Sequence, residues 1–80
     1  MKVNVKFFAL GRELVGNNSL EIELGESDNI KNLIERLQNE HPKFKELKSF
    51  VVAVNMEYAD MQKSLNDGDE VAIIPPVSGG

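Results

Sequence analysis

One long stretch of this chain has the period of a helix, and it sits between segments with the period of a strand. Ile30, Leu33, Ile34 and Leu37 recur at the spacing of a single apolar stripe, with Lys31, Asn32, Glu35, Arg36 and Gln38 on the remaining surface. Before it, Val3, Val5 and Phe7 alternate with Lys2, Asn4 and Lys6, and Leu20, Ile22 and Leu24 alternate with Ser19, Glu21 and Glu23. After it, residues 50–54 form the most continuous apolar run, and in residues 70–74 Val71 and Ile73 face one way, Ala72 and Ile74 the other. A striped helix and a set of alternating strands each need one apolar face covered. A single main helix packed across one side of a mixed sheet covers both, which is an α+β domain. With 80 residues and no cysteine to cross-link them, one domain with one modest core is what the chain can build.

The boundaries follow from local chemistry. Phe8 falls on the polar side of the first alternation, out of register for an aromatic residue. Arg12-Glu13-Leu14-Val15 predicts one helical turn, and Gly16-Asn17-Asn18 a chain reversal, so the first two strands can pair as a hairpin with a long connection. Ser27 is placed to cap the main helix, with Asp28 near the positive end of its dipole. Pro42 restricts His41 and ends the helix near Glu40. Residues 43–49 predict a loop or a short turn of helix, and residues 50–54 a central strand flanked by structure on both sides. Asn55-Met56-Glu57 predicts a turn, Tyr58-Ala59 a very short strand, and Leu65 a return to the core. Asn66-Asp67-Gly68-Asp69 is a strong turn signal; with Glu70 it predicts a solvated acidic face and not a calcium loop, because the spaced oxygen ligands are missing. Pro75 and Pro76 cannot donate to a ladder and end the last strand. The organisation expected is a domain over residues 1–74 and a flexible tail over residues 75–80.

Composition narrows the function classes. A formal charge of -4 argues against a nucleic-acid backbone as partner, although it also simply keeps a small domain soluble. The main helix is too short and too mixed in charge for a membrane surface. There is no glycine-rich phosphate loop, no cysteine nucleophile and no set of His, Ser and Asp resembling a triad, and one histidine at a helix end does not make a zinc site. No bound cofactor or metal is expected. Met1-Lys2 leads into alternation and not into a leader pattern, which leaves the cytoplasm as the expected compartment.

What remains is the end of the sequence. Pro75, Pro76, Val77, Ser78, Gly79 and Gly80 can reach roughly 20 Å if extended. The prolines either simply stop the strand or also direct the tail away from the sheet. The glycines thin its tip to fit a tunnel where a side chain would clash. A terminal carboxylate is a poor reagent until ATP converts it to an acyl-adenylate, and a partner must do that here. Gly79 and Gly80 read equally as a tail without function. If the first and last strands are neighbours, Phe8, Ala72 and Ile74 form an apolar patch beside the tail, suited to a partner. Arg12 reads either as a contact to a partner carboxylate or as an ordinary surface residue.

The run Leu65-Asn66-Asp67-Gly68-Asp69-Glu70-Val71-Ala72-Ile73-Ile74-Pro75-Pro76-Val77-Ser78-Gly79-Gly80 resembles the small subunits of molybdopterin synthase. So do Val5-Lys6-Phe7-Phe8-Ala9, Arg12-Glu13-Leu14-Val15-Gly16 and Ala53-Val54-Asn55, so the likeness covers both ends and most of the length. It implies a ubiquitin-like β-grasp fold and a sulfur-carrier mechanism. An E1-like adenylating enzyme would activate Gly80 with ATP, and a sulfur relay would convert it to a thiocarboxylate. The tail would then enter the large subunit, in a heterotetramer, and give sulfur to cyclic pyranopterin monophosphate, building the dithiolene of molybdopterin. Catalytic residues would lie in the partners. Three other readings stay open: a sulfur carrier for thiamine or tRNA thiolation, a ubiquitin-like covalent modifier, and a binding module whose tail merely docks.

Overall fold

The computed structural model describes residues 1–76, and across them five strands, two α-helices and a 3₁₀ turn follow in chain order. Strand β1 (Lys2–Phe7) pairs antiparallel with β2 (Ser19–Glu23). Strand β5 (Glu70–Ile74) lies parallel to β1, and β3 (Val51–Val54) runs antiparallel to both β5 and β4 (Glu57–Ala59). The sheet order is β2-β1-β5-β3-β4, so the last strand of the sequence is the middle of the sheet. Helix α2 (Ile30–Glu40) buries its stripe of Ile30, Leu33, Ile34 and Leu37 in one cluster with Val3, Val5, Phe7, Val52, Val71 and Ile73. The α+β architecture expected from the periodicities is the one adopted.

One boundary differs from expectation. Ser27 does not cap α2; Asn29 does, its side chain accepting from the Asn32 amide at 3.0 Å while the Asn32 side chain accepts from the Asn29 amide at 2.9 Å. Asp28 is drawn away from the helix because its carboxylate accepts the Gly25 amide at 2.8 Å. The next amides of the helix are met by the loop that follows β4: Ile30 donates to the Lys63 carbonyl at 3.0 Å and Lys31 to the Met61 carbonyl at 3.0 Å. Strand β3 is hydrogen-bonded on both sides, but on the face away from α2 only Ala53 is buried, and Val51 is 48% exposed. The apolar run thus has neighbouring strands on both edges, as expected, and is open only at Val51.

The short helix α1 (Ala9–Val15) extends the helical turn read around Arg12 and ends at Gly16, whose φ of 85° lets its amide reach back to the Arg12 carbonyl. The 3₁₀ turn at Pro42–Glu46 places Phe44 in the core, fully buried against the rings of Phe7 and Phe50 at centroid distances of 6.1 and 5.7 Å. Leu65 returns to the core as expected. On the outer side of α2, a hydrogen bond from Arg36 to Glu40 raises the guanidinium pKa. No helix among the described residues is long and apolar enough to cross a membrane. Strand β5 ends at Ile74, with Pro75 half-buried and Pro76 exposed beyond it. Val77, Ser78, Gly79 and Gly80 lie outside the described residues.

Candidate functional site

The sheet face opposite α2 carries the residues that alternate with the core set. The pairings Lys6↔Ala72, Ala72↔Ala53 and Ala53↔Tyr58 lay one row of side chains across it from β1 to β4. Toward the C-terminal end of β5 the neighbouring row is apolar: Phe8 follows β1, Ile74 closes β5, and Val51 pairs with Ile74 from β3. Phe8 is 45% exposed. The expected neighbourhood of Phe8, Ala72 and Ile74 is present, because β1 and β5 are adjacent and parallel with Phe7 opposite Ile73. Together with Ala53, Met56 and Tyr58 these residues line a shallow cavity of about 330 Å³ whose floor is the two small alanines.

Arg12 does not join that cavity. It lines a second one of about 260 Å³ on the other side of Phe8, together with Lys6, Phe7, Asn18 and Ser19. No ion pair to Arg12 forms among the described residues. Lys6 is paired with Glu70 across the strands at 3.2 Å, a partly exposed bridge of the kind that contributes about 0.5 kcal/mol. Phe8 thus stands between two hollows that share Lys6, the first holding its ion pair with Glu70 and the second Arg12.

Sequence reasoning missed Tyr58 and Met56. Tyr58 is 80% exposed and Met56 92% exposed, and both border the apolar hollow. The available signal was the two-residue turn at Asn55-Met56: a tight hairpin fixes Tyr58 opposite Ala53 and therefore on the same face as Ala72.

The acidic turn is also not what the sequence predicts. Gly68, at φ 86°, makes the tight reversal expected of it, but Asp69 is only 8% exposed. Its carboxylate accepts from the Asn55 side-chain amide at 2.9 Å and from the Asn66 backbone amide at 2.8 Å. Asn55 in turn accepts the Glu70 amide on its side chain at 3.0 Å and donates its own amide to the Glu70 carbonyl at 2.8 Å. The β3–β4 hairpin is therefore clipped to the start of β5 by paired hydrogen bonds. Replacing Asp69 by Ala removes two hydrogen bonds to a carboxylate, both part-buried with their donors on exposed residues, and is expected to lower stability by about 1–2 kcal/mol. Urea unfolding with an unchanged m-value would measure it, and a loss under about 0.5 kcal/mol would show that the clip is dispensable.

No group of three His, Cys, Asp or Glu side chains that could hold a metal exists among the described residues. The chain matches the ThiS family over residues 5–80. It is 42% identical to a molybdopterin synthase sulfur carrier subunit from Chlamydomonas reinhardtii, the match covering the whole of both chains. Among solved structures, SAMP1 from Haloferax volcanii superposes with a TM-score of 0.91 at 25% identity over the whole of both chains. Subunit 1 of the molybdopterin-converting factor from Helicobacter pylori, solved as a complex of subunits 1 and 2, does so with a TM-score of 0.74 at 29% identity, again over the whole of both chains. The mixed sheet on one main helix is thus the ubiquitin-like β-grasp fold. The chain belongs to the ThiS family of sulfur carriers and is a homologue of the molybdopterin synthase sulfur carrier subunits.

Proposed function

We propose that this chain is the small subunit of a molybdopterin synthase and that Gly80 is the atom-bearing end of its sulfur carriage. The observation that supports this most is the full-length match to the Chlamydomonas reinhardtii sulfur carrier subunit, which takes in Pro75, Pro76, Val77, Ser78, Gly79 and Gly80 as well as the folded part. The carboxylate of Gly80 attacks the α-phosphorus of ATP in an E1-like partner and releases pyrophosphate. Hydrogen sulfide delivered by a sulfur relay then displaces AMP from the acyl carbon and leaves a thiocarboxylate. That sulfur stays ionised near neutral pH and is a better nucleophile than a carboxylate oxygen. In the large subunit it attacks a side-chain carbon of cyclic pyranopterin monophosphate, the carbon–oxygen bond there breaking with its oxygen leaving on phosphate or as water, and hydrolysis of the acyl–sulfur bond leaves sulfur on the pterin and a carboxylate on Gly80. Two such rounds make the dithiolene.

The division of labour follows from the side chains. Acid, base and substrate-binding groups come from the large subunit, since this domain offers a docking face and a reach. Phe8, Ala72 and Ile74 form the apolar part of that face, Arg12 its charged margin, and residues 75–80 the tail beyond the domain of residues 1–74. A small subunit at each end of a large-subunit dimer gives the heterotetramer, and a small domain of this kind works in the cytoplasm. The likeness to SAMP1, a small archaeal modifier protein, supports a second reading in which activated Gly80 forms an isopeptide bond to a lysine.

Reconstitution separates the two. Incubation with the E1-like partner, ATP and a sulfur source is expected to exchange one terminal oxygen for sulfur, read by intact mass and located by fragmentation. Adding large subunit and cyclic pyranopterin monophosphate is expected to consume the thiocarboxylate and yield molybdopterin. Denaturation-resistant adducts with no sulfur transfer would instead establish the modifier. The docking face has its own test. Burying a phenylalanine contributes about 1.5–3 kcal/mol, so Phe8→Asp is expected to weaken large-subunit affinity by about ten- to a hundredfold. Its effect on thermal unfolding should be small, because the ring is half exposed in the free domain. Calorimetry giving the parent affinity would remove Phe8 from the interface.

A further inference from the structure

Asp67-Gly68 is the one place in the sequence where an aspartate precedes a glycine, and such a pair is chemically labile. The Gly68 nitrogen can attack the side-chain carboxyl carbon of Asp67. A carbon–nitrogen bond forms, the amide hydrogen and the carboxyl hydroxyl leave as water, and a succinimide ring closes. Water then reopens the ring at either carbonyl. At the side-chain carbonyl it restores Asp67; at the main-chain carbonyl it leaves isoaspartate, in which the chain runs through Cβ and Cγ. One water is lost and one taken up, so no oxidant or reductant is involved. Glycine in second place permits the attack because it has no Cβ to obstruct the approach.

In the folded domain both reacting groups are occupied by a single residue. Asp67 Oδ1 accepts the Lys2 amide at 2.7 Å, and the Gly68 amide donates to the Lys2 carbonyl at 2.8 Å. The main chain of Lys2, at the start of β1, thus holds nucleophile and electrophile together across 65 positions of sequence. The clasp stands apart from the bonds that fix Asp69, whose carboxylate is held by Asn55 and Asn66 and whose carbonyl accepts the Asn4 amide at 2.9 Å. It is also placed to open alone. Lys2, Asn66, Asp67 and Gly68 are all exposed, and a Cβ on Gly68 would meet nothing within 4 Å. Parting Lys2 from the turn therefore uncovers little apolar surface and leaves the core closed.

We propose that Asp67 is an isomerisation site and that the Lys2 clasp is its gate, so that isoaspartate forms by local opening at the start of β1 and not by global unfolding. The change is self-locking. The isomerised chain has an extra backbone carbon ahead of Gly68 and a carboxylate moved to Cα, so the two bonds to Lys2 cannot both re-form. The added length falls just before β5, the central strand of the sheet. The displaced carboxylate, on an exposed turn, is the handle by which an isoaspartyl methyltransferase would recognise the damaged chain.

The full-length protein, incubated at mildly acidic pH with and without denaturing urea, tests this. Isoaspartate is counted by enzymatic methyl labelling and located by peptide fragmentation. It should form at position 67 at least about tenfold more slowly in the folded chain than in the unfolded one. Lys2→Pro removes the amide that Asp67 accepts, at the first residue of a strand where proline is tolerated, and should raise the folded-state rate about three- to tenfold. Lys2→Ala keeps that amide and should match the parent. Asp67→Glu, which closes the larger ring far less readily, should lose the label. Urea below the unfolding transition should leave the parent rate nearly unchanged, since local opening exposes little surface. Equal rates in folded and unfolded chains would overturn the gate, and so would a folded-state rate that climbs with urea as steeply as global unfolding does. If Lys2→Pro does not fold, hydrogen exchange in the parent decides: a Gly68 amide that exchanges faster than the β5 amides supports local opening, and one that exchanges as slowly rejects it.

Discussion

Deletion of Gly80 is expected to lower thiocarboxylate formation by at least about a hundredfold while moving the unfolding temperature by no more than about 2 °C. The first half follows from reach. Removing one residue withdraws the carboxylate by about 3.5 Å, and a misplacement of even about 1 Å can cost a hundredfold in a reaction that depends on alignment. The second half follows from where the core ends. Ile73 is the last of the core residues, β5 closes at Ile74, and Pro75 and Pro76 offer no amide to any ladder. Gly80→Ala should load sulfur poorly as well, through the bulk of its methyl group, and should fold like the parent. Intact mass after incubation with the E1-like partner, ATP and a sulfur source reads loading, and calorimetric scanning reads folding. Full loading of the truncated chain, on the carboxylate that Gly79 then carries, would show that the activating enzyme does not depend on the length of the tail, and the alignment argument would have to be abandoned.

The parts of this molecule that the sequence discloses are those set by local periodicity. The stripe of Ile30, Leu33, Ile34 and Leu37 needs only the 3.6-residue repeat to be read, and Pro42 needs only its own ring to end the helix. Phe8 was visible because it broke a rule, an aromatic residue on the polar side of a strand. The features that stayed hidden depend on partners distant in sequence. Asn29, not Ser27, caps α2, because a second asparagine three residues on completes a reciprocal pair and Asp28 is occupied by Gly25. Asp69 resembles any acidic turn residue until Asn55, fourteen positions earlier, is seen to meet it. Met56 reads as an ordinary turn residue until the two-residue hairpin closes and sets it beside Tyr58. Sequence patterns therefore singled out residues 75–80 and Phe8, whereas Tyr58 reaches the same sheet face only through its pairing with Ala53.

Phe44→Ala is expected to be the most damaging single core substitution in the described domain, lowering stability by about 3–5 kcal/mol. The residue lies in a polar stretch that reads as a loop, yet its ring is fully buried and meets Phe7 edge-on at 6.1 Å and Phe50 at 5.7 Å. The 3₁₀ turn that carries it lies against both α1 and α2, so no single element can shift to fill the space left behind. At about 0.05–0.15 kcal/mol per residue, a domain of this size has roughly 4–12 kcal/mol of stability in all. The variant should therefore sit close to its unfolding midpoint, and urea denaturation should show a greatly lowered midpoint with the slope preserved. Phe44→Leu, which retains much of the volume, should lose about 1–2 kcal/mol and stay folded. That milder variant also connects the core to the docking face. Phe44 supports Phe7 from beneath, and Phe8 is the next residue, so loosening the end of β1 should weaken large-subunit binding severalfold without altering the open face. Parent affinity in a Phe44→Leu variant of measurably reduced stability would show that Phe8 is held by α1 alone.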